Sequence, residues 1–173
     1  MGATEGDNDM GLKLPPLVKY EDFATELEFI EALYVYFKQD FIDSKLNYRG
    51  NELRLKRHPL RDDKECTFYH ITTDGKDEDN RQLDILRAER LRWIKPIIES
   101  SDKKLKIWEN TRRKENNILI FLEQENFLVI IRKRKDYLLF WTAYYVSQSY
   151  KKDLLKEHNE YHKKLKTPFF KRT

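Results

Sequence analysis

The sequence has only one cysteine, five glycines and five prolines among its 173 residues. The lone cysteine, Cys66, excludes an internal disulfide and a zinc site built from several cysteines, and it is typical of a reducing compartment. So little glycine and proline excludes a collagen-like or low-complexity chain. No apolar run approaches the ~18 residues of a membrane span, and the N-terminus lacks the basic and apolar regions of a signal peptide. We therefore expect a soluble cytoplasmic protein with no membrane partner.

The short motifs of several common enzyme classes are also missing. The sequence contains no P-loop, no GxGxxG dinucleotide fingerprint, no HExxH zinc motif and no GxSxG nucleophile elbow. The four histidines are scattered, and His158 with His162, although at helical spacing, have no suitable third ligand nearby in the sequence. We expect neither a metal nor a cofactor, so any hydrolysis would depend on side-chain acids, bases and cations.

Charge is abundant but unevenly distributed. The length suits one domain, and 39% hydrophobic residues can form its core. The formal net charge is +4, yet residues 132–173 hold 12 Lys and Arg against four Asp and Glu, while the other 131 residues hold 22 against 26. A basic C-terminal part is typical of proteins that bind a polyanion such as RNA. Lysines that only solubilise a terminal helix would give the same distribution.

Hydrophobic periodicity predicts three helices. Apolar residues recur at intervals of three and four over residues 20–45 and 81–94, and residues 151–166 form a charged segment of helical composition. Asp22 or Thr25 is placed to cap the first helix.

Strand signals occupy the regions between these helices. Alternation predicts a strand around Leu53 and Leu55 and another over residues 66–72, and four β-rich runs follow between residues 105 and 146. Because their connectors are short, the four runs should form an antiparallel meander. The expected fold is α+β, with N-terminal helices packed on a roughly four-stranded antiparallel sheet and a charged C-terminal helix.

Metal-free RNA cleavage needs a proton acceptor, a proton donor and groups that stabilise a charged phosphorane. His70 is a candidate acid or base, although a half-buried structural histidine fits equally well. Arg90 lies beside the apolar stripe of the 81–94 helix and should have a carboxylate or a phosphate partner. Thr142 and Tyr144 share one face of the last predicted strand and could donate to a phosphate, although β propensity and core packing also explain them.

Several further residues are candidates for holding a flanking RNA strand, by charge or by stacking. Four consecutive cations at residues 132–135 fit either phosphate contacts or a solvated hairpin tip that discourages aggregation. The candidate RNA-binding residues are Arg92, Trp108, Arg132, Arg134, Lys151 and Lys152.

Three segments in order resemble a known superfamily. They are Phe68-Tyr69-His70-Ile71, Arg90-Leu91-Arg92-Trp93-Ile94 and the end of the meander, Trp141-Thr142-Ala143-Tyr144-Tyr145. This order and spacing, over about residues 66–160, resembles the phage- and toxin-associated members of the barnase–EndoU–colicin–RelE superfamily. Such proteins are metal-independent endoribonucleases, many of them toxins held by an antitoxin or immunity protein.

The resemblance implies helices on a four-stranded antiparallel sheet and a site made of His70, Arg90, Thr142 and Tyr144. A glutamate base, which barnase-like members use, has no evident counterpart here. The implied organisation is a disordered tail at 1–16, a helix-and-hairpin extension at 17–65, a nuclease-like core at 66–166 and a tail at 167–173. The resemblance does not explain the extension.

The leading hypothesis is therefore a cytoplasmic endoribonuclease toxin that cleaves tRNA or mRNA by 2′-hydroxyl attack, leaving a 2′,3′-cyclic phosphate. Its expected partners are RNA and a cognate antitoxin or immunity protein. Two alternatives stay open. One is a non-catalytic RNA-binding regulator on the same fold, and the other is a protein-binding partner that uses the N-terminal helix.

Overall fold

The computed structural model describes residues 11–167. Its helices are α1 (Glu26–Phe37), α2 (Cys66–Thr72), α3 (Ile85–Ala88), α4 (Ile94–Glu99) and α5 (Gln148–Lys166). Its strands are β1 (Asn47–Tyr48), β2 (Asn51–Arg54), β3 (Thr73–Asp74), β4 (Gln82–Leu83), β5 (Leu105–Arg112), β6 (Glu115–Leu122), β7 (Phe127–Lys133) and β8 (Leu138–Tyr145). The α+β class is confirmed. No helix in the described part of the chain is long and apolar enough to cross a membrane.

The main sheet has six strands, not four. The predicted meander is present as β5 to β8, each strand antiparallel to the next. The hairpin of β1 and β2 adds to its edge, because β2 runs parallel to β8 and pairs with it at Leu138 and Leu139. In the described chain β2 pairs with β8 at these two residues alone. On that edge of β8, residues 140–145 therefore have no strand partner.

The first predicted helix is confirmed as α1, extended by a π-helical segment at Lys38–Asp43. The Thr25 hydroxyl accepts a hydrogen bond from the Glu28 amide at 3.1 Å, so Thr25 provides the cap. Phe37 and Phe41 stack on each other and contact Phe68 of α2 and Phe140 of β8, respectively. The segment 17–65 therefore shares one hydrophobic core with the rest of the chain.

Residues 66–72, predicted as a strand, form helix α2. Five of its seven residues are buried, because α2 is enclosed by α1, α3 and β8. A helix buried on nearly all sides shows no 3.6-residue period, and its threonine, isoleucine and aromatic residues favour strands intrinsically. Burial therefore overrides the propensity at this segment. His70 accordingly projects from a helix, not from a strand.

The predicted helix over residues 81–94 is interrupted. Residues 82–83 form strand β4, α3 ends at Ala88, and a 3₁₀ turn at Leu91–Trp93 leads into α4. Arg90 has φ −97° and ψ 8°, which is outside the helical region. The Asp84 carboxylate accepts from the Arg87 amide at 3.1 Å and caps the short α3. Because of this break, a single helical period does not extend from Leu86 to Ile97.

Part of the predicted N-terminal tail is ordered against the core. The Leu12 amide donates to the Asp102 carboxylate at 2.7 Å, and the Trp93 indole donates to the Pro15 carbonyl at 2.8 Å. Residues 12–16 are thus fixed in place. The remainder of that predicted tail, 1–10, and most of the predicted C-terminal tail, 168–173, lie outside the described residues.

A β-bulge at Trp141 changes which residues share a face of β8. Ile130 of β7 pairs with Thr142 and Ile131 pairs with Phe140, so Trp141 is the extra residue. Phe140 therefore faces the same core as Ala143, and Thr142 faces the opposite side. Simple alternation along β8 would place Phe140 on the same face as Thr142 and Tyr144, and the bulge changes this.

The opposite face of the sheet packs on α5. Leu154 of α5 is fully buried against Trp108, Leu119 and Phe121. Glu157 of the same helix accepts hydrogen bonds from the indole of Trp108 at 2.7 Å and from Asn110 at 2.6 Å. Helix α5 thus covers the β5 side of this face and leaves the side near β8 more open.

Candidate active site

A cleft of about 610 Å³ lies where β2 ends beside β8. Helix α2, the segment from residue 74 to α3, β8 and the start of α5 form its walls. The lining residues are His70, Asp74, Glu78, Arg81, Asp84, Arg87, Trp141, Thr142, Tyr144, Tyr145, Ser147 and Tyr150. The cleft therefore contains three of the four predicted catalytic residues, namely His70, Thr142 and Tyr144.

Arg87 occupies the inner wall of the cleft and is only 6% exposed. Its Nε donates to the Ala143 carbonyl at 2.7 Å and its Nη1 to the Thr73 carbonyl at 2.7 Å, and Nη2 donates to the Thr142 hydroxyl. The guanidinium thus binds a backbone carbonyl of β8 at the edge where β2 no longer pairs with it. Since it carries five N–H groups, one on each terminal nitrogen remains for a ligand.

The charge of Arg87 has no direct carboxylate partner. Among residues 11–167 no carboxylate lies within 4 Å of it, and its three acceptors are neutral. Burial, reinforced by the positive charge of Arg81, lowers the pKa of Arg87 to about 10. A buried cation without a paired anion is costly, so such an arrangement is typical of a site that receives an anionic ligand.

Arg81 places a second guanidinium beside the first. Its Nη2 donates to the Thr73 carbonyl at 2.6 Å, the same oxygen that accepts from Arg87. Its Nε donates to the Thr73 hydroxyl at 3.0 Å, and Glu78 lies 4.0 Å away. Two guanidinium groups that share one carbonyl repel each other, and an anion between them would relieve that repulsion.

His70 lies at the mouth of the cleft with 16% of its side chain exposed. Its Nε2 is 2.8 Å from the Glu78 carboxylate. Burial lowers the pKa of His70, and Glu78 partly offsets this effect by raising it. An ionised Glu78 holds the proton on Nε2, which leaves the Nδ1 lone pair to accept one. Such a histidine is neutral at neutral pH and suits the role of a base.

Thr142 and Tyr144 present hydroxyl groups from neighbouring positions of β8. The Thr142 oxygen accepts from Arg87, so its own proton is free for a ligand. The Tyr144 hydroxyl lies 3.3 Å from that of Tyr150, which accepts from Arg112 at 3.0 Å. Burial raises the pKa of Tyr144. The phenol therefore keeps its proton, which it donates to the Tyr150 hydroxyl.

The guanidinium groups that line the cleft are those of Arg87 and Arg81, and not that of Arg90. Arg90 lies over the rings of Trp93 and Tyr145, and its Nη1 donates to the Leu86 carbonyl at 2.6 Å. It does not line the cleft. An unbroken helix over residues 81–94 would have turned Arg87 away from the apolar stripe and into solvent. The signal that could have located it is Asp84, whose capping bond starts a new short helix that turns Arg87 inward.

The predicted RNA-binding residues do not form one surface. Trp108 is 1% exposed and bonded to Glu157, so it cannot stack on a base. Arg92 lies over the Tyr36 ring, Arg134 pairs with Glu115 at 2.6 Å, and Lys151 donates to the Glu123 carbonyl. Lys152 is exposed on α5 and lies outside the cleft.

Arg132 differs from the others because it stacks on Trp141, a residue of the cleft. Its Cζ atom lies 3.5 Å from the centroid of the indole ring. Sequence reasoning missed Trp141 because the alternation of β8 placed it away from Thr142. The contact of Glu78 with His70 was also missed, because Glu78 lies in a charged loop whose sequence shows no pattern that would distinguish it.

No group of three or more His, Cys, Asp or Glu side chains in the described chain is arranged to hold a metal ion. His158 and His162 do lie together, with ring centroids 4.5 Å apart, but His162 is hydrogen-bonded to the Ile107 carbonyl.

No family model, no curated protein and no solved structure matches this chain.

Proposed function

We propose that the chain is a metal-independent endoribonuclease that uses this cleft. The proposal rests chiefly on Arg87, a buried guanidinium that has no carboxylate partner within residues 11–167. Its spare N–H groups share a cleft with His70 and Thr142. The arrangement supplies a cation, a hydroxyl donor and a neutral histidine. They provide the proton acceptor and the phosphorane-stabilising groups that RNA cleavage by 2′-hydroxyl attack requires, and water provides the proton for the leaving oxygen.

The scissile phosphate would lie between Arg87 and Arg81, with the Thr142 hydroxyl donating to one of its free oxygens. His70 accepts the proton of the 2′-hydroxyl as O2′ forms a bond to phosphorus. The bond from phosphorus to O5′ breaks, and the 5′-oxygen takes a proton from water. The products are a 2′,3′-cyclic phosphate and a 5′-hydroxyl.

Arg87 and Thr142 act on the charge that develops during this step. The pentavalent phosphorane carries more negative charge on its free oxygens than the starting diester does. Donors fixed in a partly buried cleft stabilise that charge more than water does, because they need no reorganisation. Tyr144 donates its one O–H to the Tyr150 hydroxyl at 3.3 Å, and it would become a further donor to the phosphate by exchanging that long hydrogen bond.

The direct experiment is incubation of the purified full-length chain with a defined RNA in excess EDTA. We expect cleavage products with cyclic phosphate ends. His70→Gln should reduce the rate by ~100-fold or more through loss of the base, and Thr142→Val by ~100-fold through loss of one donor. His58→Gln and Thr111→Val are matched controls at exposed positions outside the cleft and should cleave normally.

Loss of cleavage on chelation, or full activity of both cleft variants, would contradict the mechanism. Salt-sensitive RNA binding without cleavage, and without a growth defect on expression, would instead support the non-catalytic RNA-binding alternative.

A further inference from the structure

Trp141 differs from the other two tryptophans of the chain. Trp93 and Trp108 are 6% and 1% exposed, whereas Trp141 is half-buried and lines the cleft. It is the bulged residue of β8, and bulges typically re-aim a side chain beside a functional site. An indole at the rim of a cleft is a large flat surface that the core does not use.

Arg132 lies on one face of this indole. With its Cζ atom 3.5 Å from the ring centroid, the guanidinium lies at stacking distance from the indole. In the described chain its side chain donates no hydrogen bond and has no carboxylate within 4 Å, and its Nε is buried without a partner. Arg132 is therefore held by the stack alone, and its terminal N–H groups remain free for a ligand.

The charges around the cleft favour one path for a bound RNA strand. On one side are the carboxylates of Asp74, Glu78 and Asp84, which repel phosphates. On the other side are Arg132 and the Lys56 ammonium, which lies 6.0 Å from the Trp141 ring. A polyanion whose phosphate sits at Arg87 should therefore continue across Trp141 and Arg132.

We propose that Trp141 and Arg132 form a stacking subsite for one unpaired nucleobase next to the scissile phosphate, so that the substrate is single-stranded RNA. This inference rests on the proposed function and names its substrate class. A base in a duplex is covered on both faces by its neighbours. Only an unstacked base can lie on an aromatic ring or a guanidinium plane.

The test uses a labelled 2′-O-methyl RNA oligonucleotide, which cannot undergo 2′-hydroxyl attack, in single-stranded form and as a duplex. We expect the full-length chain to prefer the single strand. Trp141→Leu should weaken single-strand binding by ~5-fold to 100-fold, the range for loss of one base–aromatic stack. Arg132→Met should weaken it as well. Arg49→Met, which removes an arginine stacked on Tyr48 outside the cleft, is the matched control and should bind normally.

A second readout is the intrinsic fluorescence of the tryptophans. Since Trp93 and Trp108 are buried, the oligonucleotide should quench Trp141, and the quenching should disappear in Trp141→Leu. Equal binding of duplex and single strand, or unchanged binding by both Trp141→Leu and Arg132→Met, would overturn the subsite. Quenching by the oligonucleotide in a protein that cleaves no RNA would uphold the subsite and overturn the endoribonuclease. Cleavage at a rate that depends neither on Trp141 nor on whether the RNA is base-paired would uphold the endoribonuclease and overturn the subsite.

Discussion

Phe140 and Thr142 lie two positions apart in β8, yet they belong to opposite faces of the sheet with different chemistry. Phe140 is fully buried and packs edge-on against Phe41. Thr142 accepts a hydrogen bond from the buried guanidinium of Arg87 at the wall of the cleft. The bulge at Trp141 separates the two roles, because it shifts the alternation by one residue.

The difference separates the residues of this strand that should govern stability from those that should act in the proposed cleavage. The Phe140 face is covered by α1 and its π-helical extension, and its contacts are apolar and mutually satisfied. On the Thr142 face, within the described residues, lie a cation without a direct anionic partner, a histidine with a lowered pKa and a half-buried indole. Changes on the first face should therefore act on unfolding, and changes on the second should act on catalysis.

Phe140→Ala should give the largest effect. Removing a fully buried aromatic ring leaves a cavity in the shared core, and the free energy of unfolding should fall by ~3–5 kcal/mol. Urea denaturation measures this loss, with Leu60→Ala at an exposed position as the control that changes stability by less than ~0.5 kcal/mol. The cleavage rate per folded molecule should stay the same. A large loss of activity in the folded fraction would break the separation between the two faces.

Arg87→Lys should have the largest effect on the other face. Lysine keeps the positive charge but has three N–H groups against the five of arginine, so bonds to Ala143, Thr73 and Thr142 would leave no fixed donor for the phosphorane. The cleavage rate should fall by ~100-fold to 1,000-fold.

The matched control for Arg87→Lys is Arg90→Lys, three residues further on and outside the cleft, which should cleave at nearly the normal rate. The unfolding midpoint of each variant shows whether the fold is kept. If Arg90→Lys were the inactive variant and Arg87→Lys the active one, the original interpretation of the sequence would be correct and the assignment of the cation here would be wrong.

The pH profile should show a smaller effect. Burial lowers the pKa of His70 below its usual 6.5, so a neutral base persists below that pH and the cleavage rate falls only as the pH drops through the lowered value. Glu78 raises this pKa, so Glu78→Gln should move the acidic limb of the profile to still lower pH. Glu52→Gln, at an exposed position of β2, should leave it in place. A limb that moves to higher pH in Glu78→Gln would mean that His70 does not act as the base.

The meander and the last helix could be predicted from sequence because their signals are local. The apolar runs of β5 to β8 are separated by short polar connectors, which leave no room for crossovers. The cap at Thr25 was likewise visible in the chain itself. The addition of β2 to the edge of β8 could not be predicted, since it joins residues far apart in the sequence.

The errors at the site have a common physical origin. Helix α2 has no period because it is buried on nearly all sides, and the bulge at Trp141 is set by its pairing with β7. Arg87 was missed because the helix around it breaks after Ala88, which reverses which arginine points inward. In each case tertiary packing overrides a local pattern. The residue types were recognisable, but their directions depended on neighbours distant in sequence.

The central claim is that RNA is cut by its own 2′-hydroxyl in the cleft of His70 and Arg87. The most direct test replaces the single ribonucleotide at the cleavage site of a defined RNA with its 2′-deoxy counterpart and measures cleavage in EDTA. The account predicts that cleavage at that position disappears while binding of the strand is retained. Continued cleavage at the 2′-deoxy position would contradict it, because the attacking nucleophile would then have to come from elsewhere.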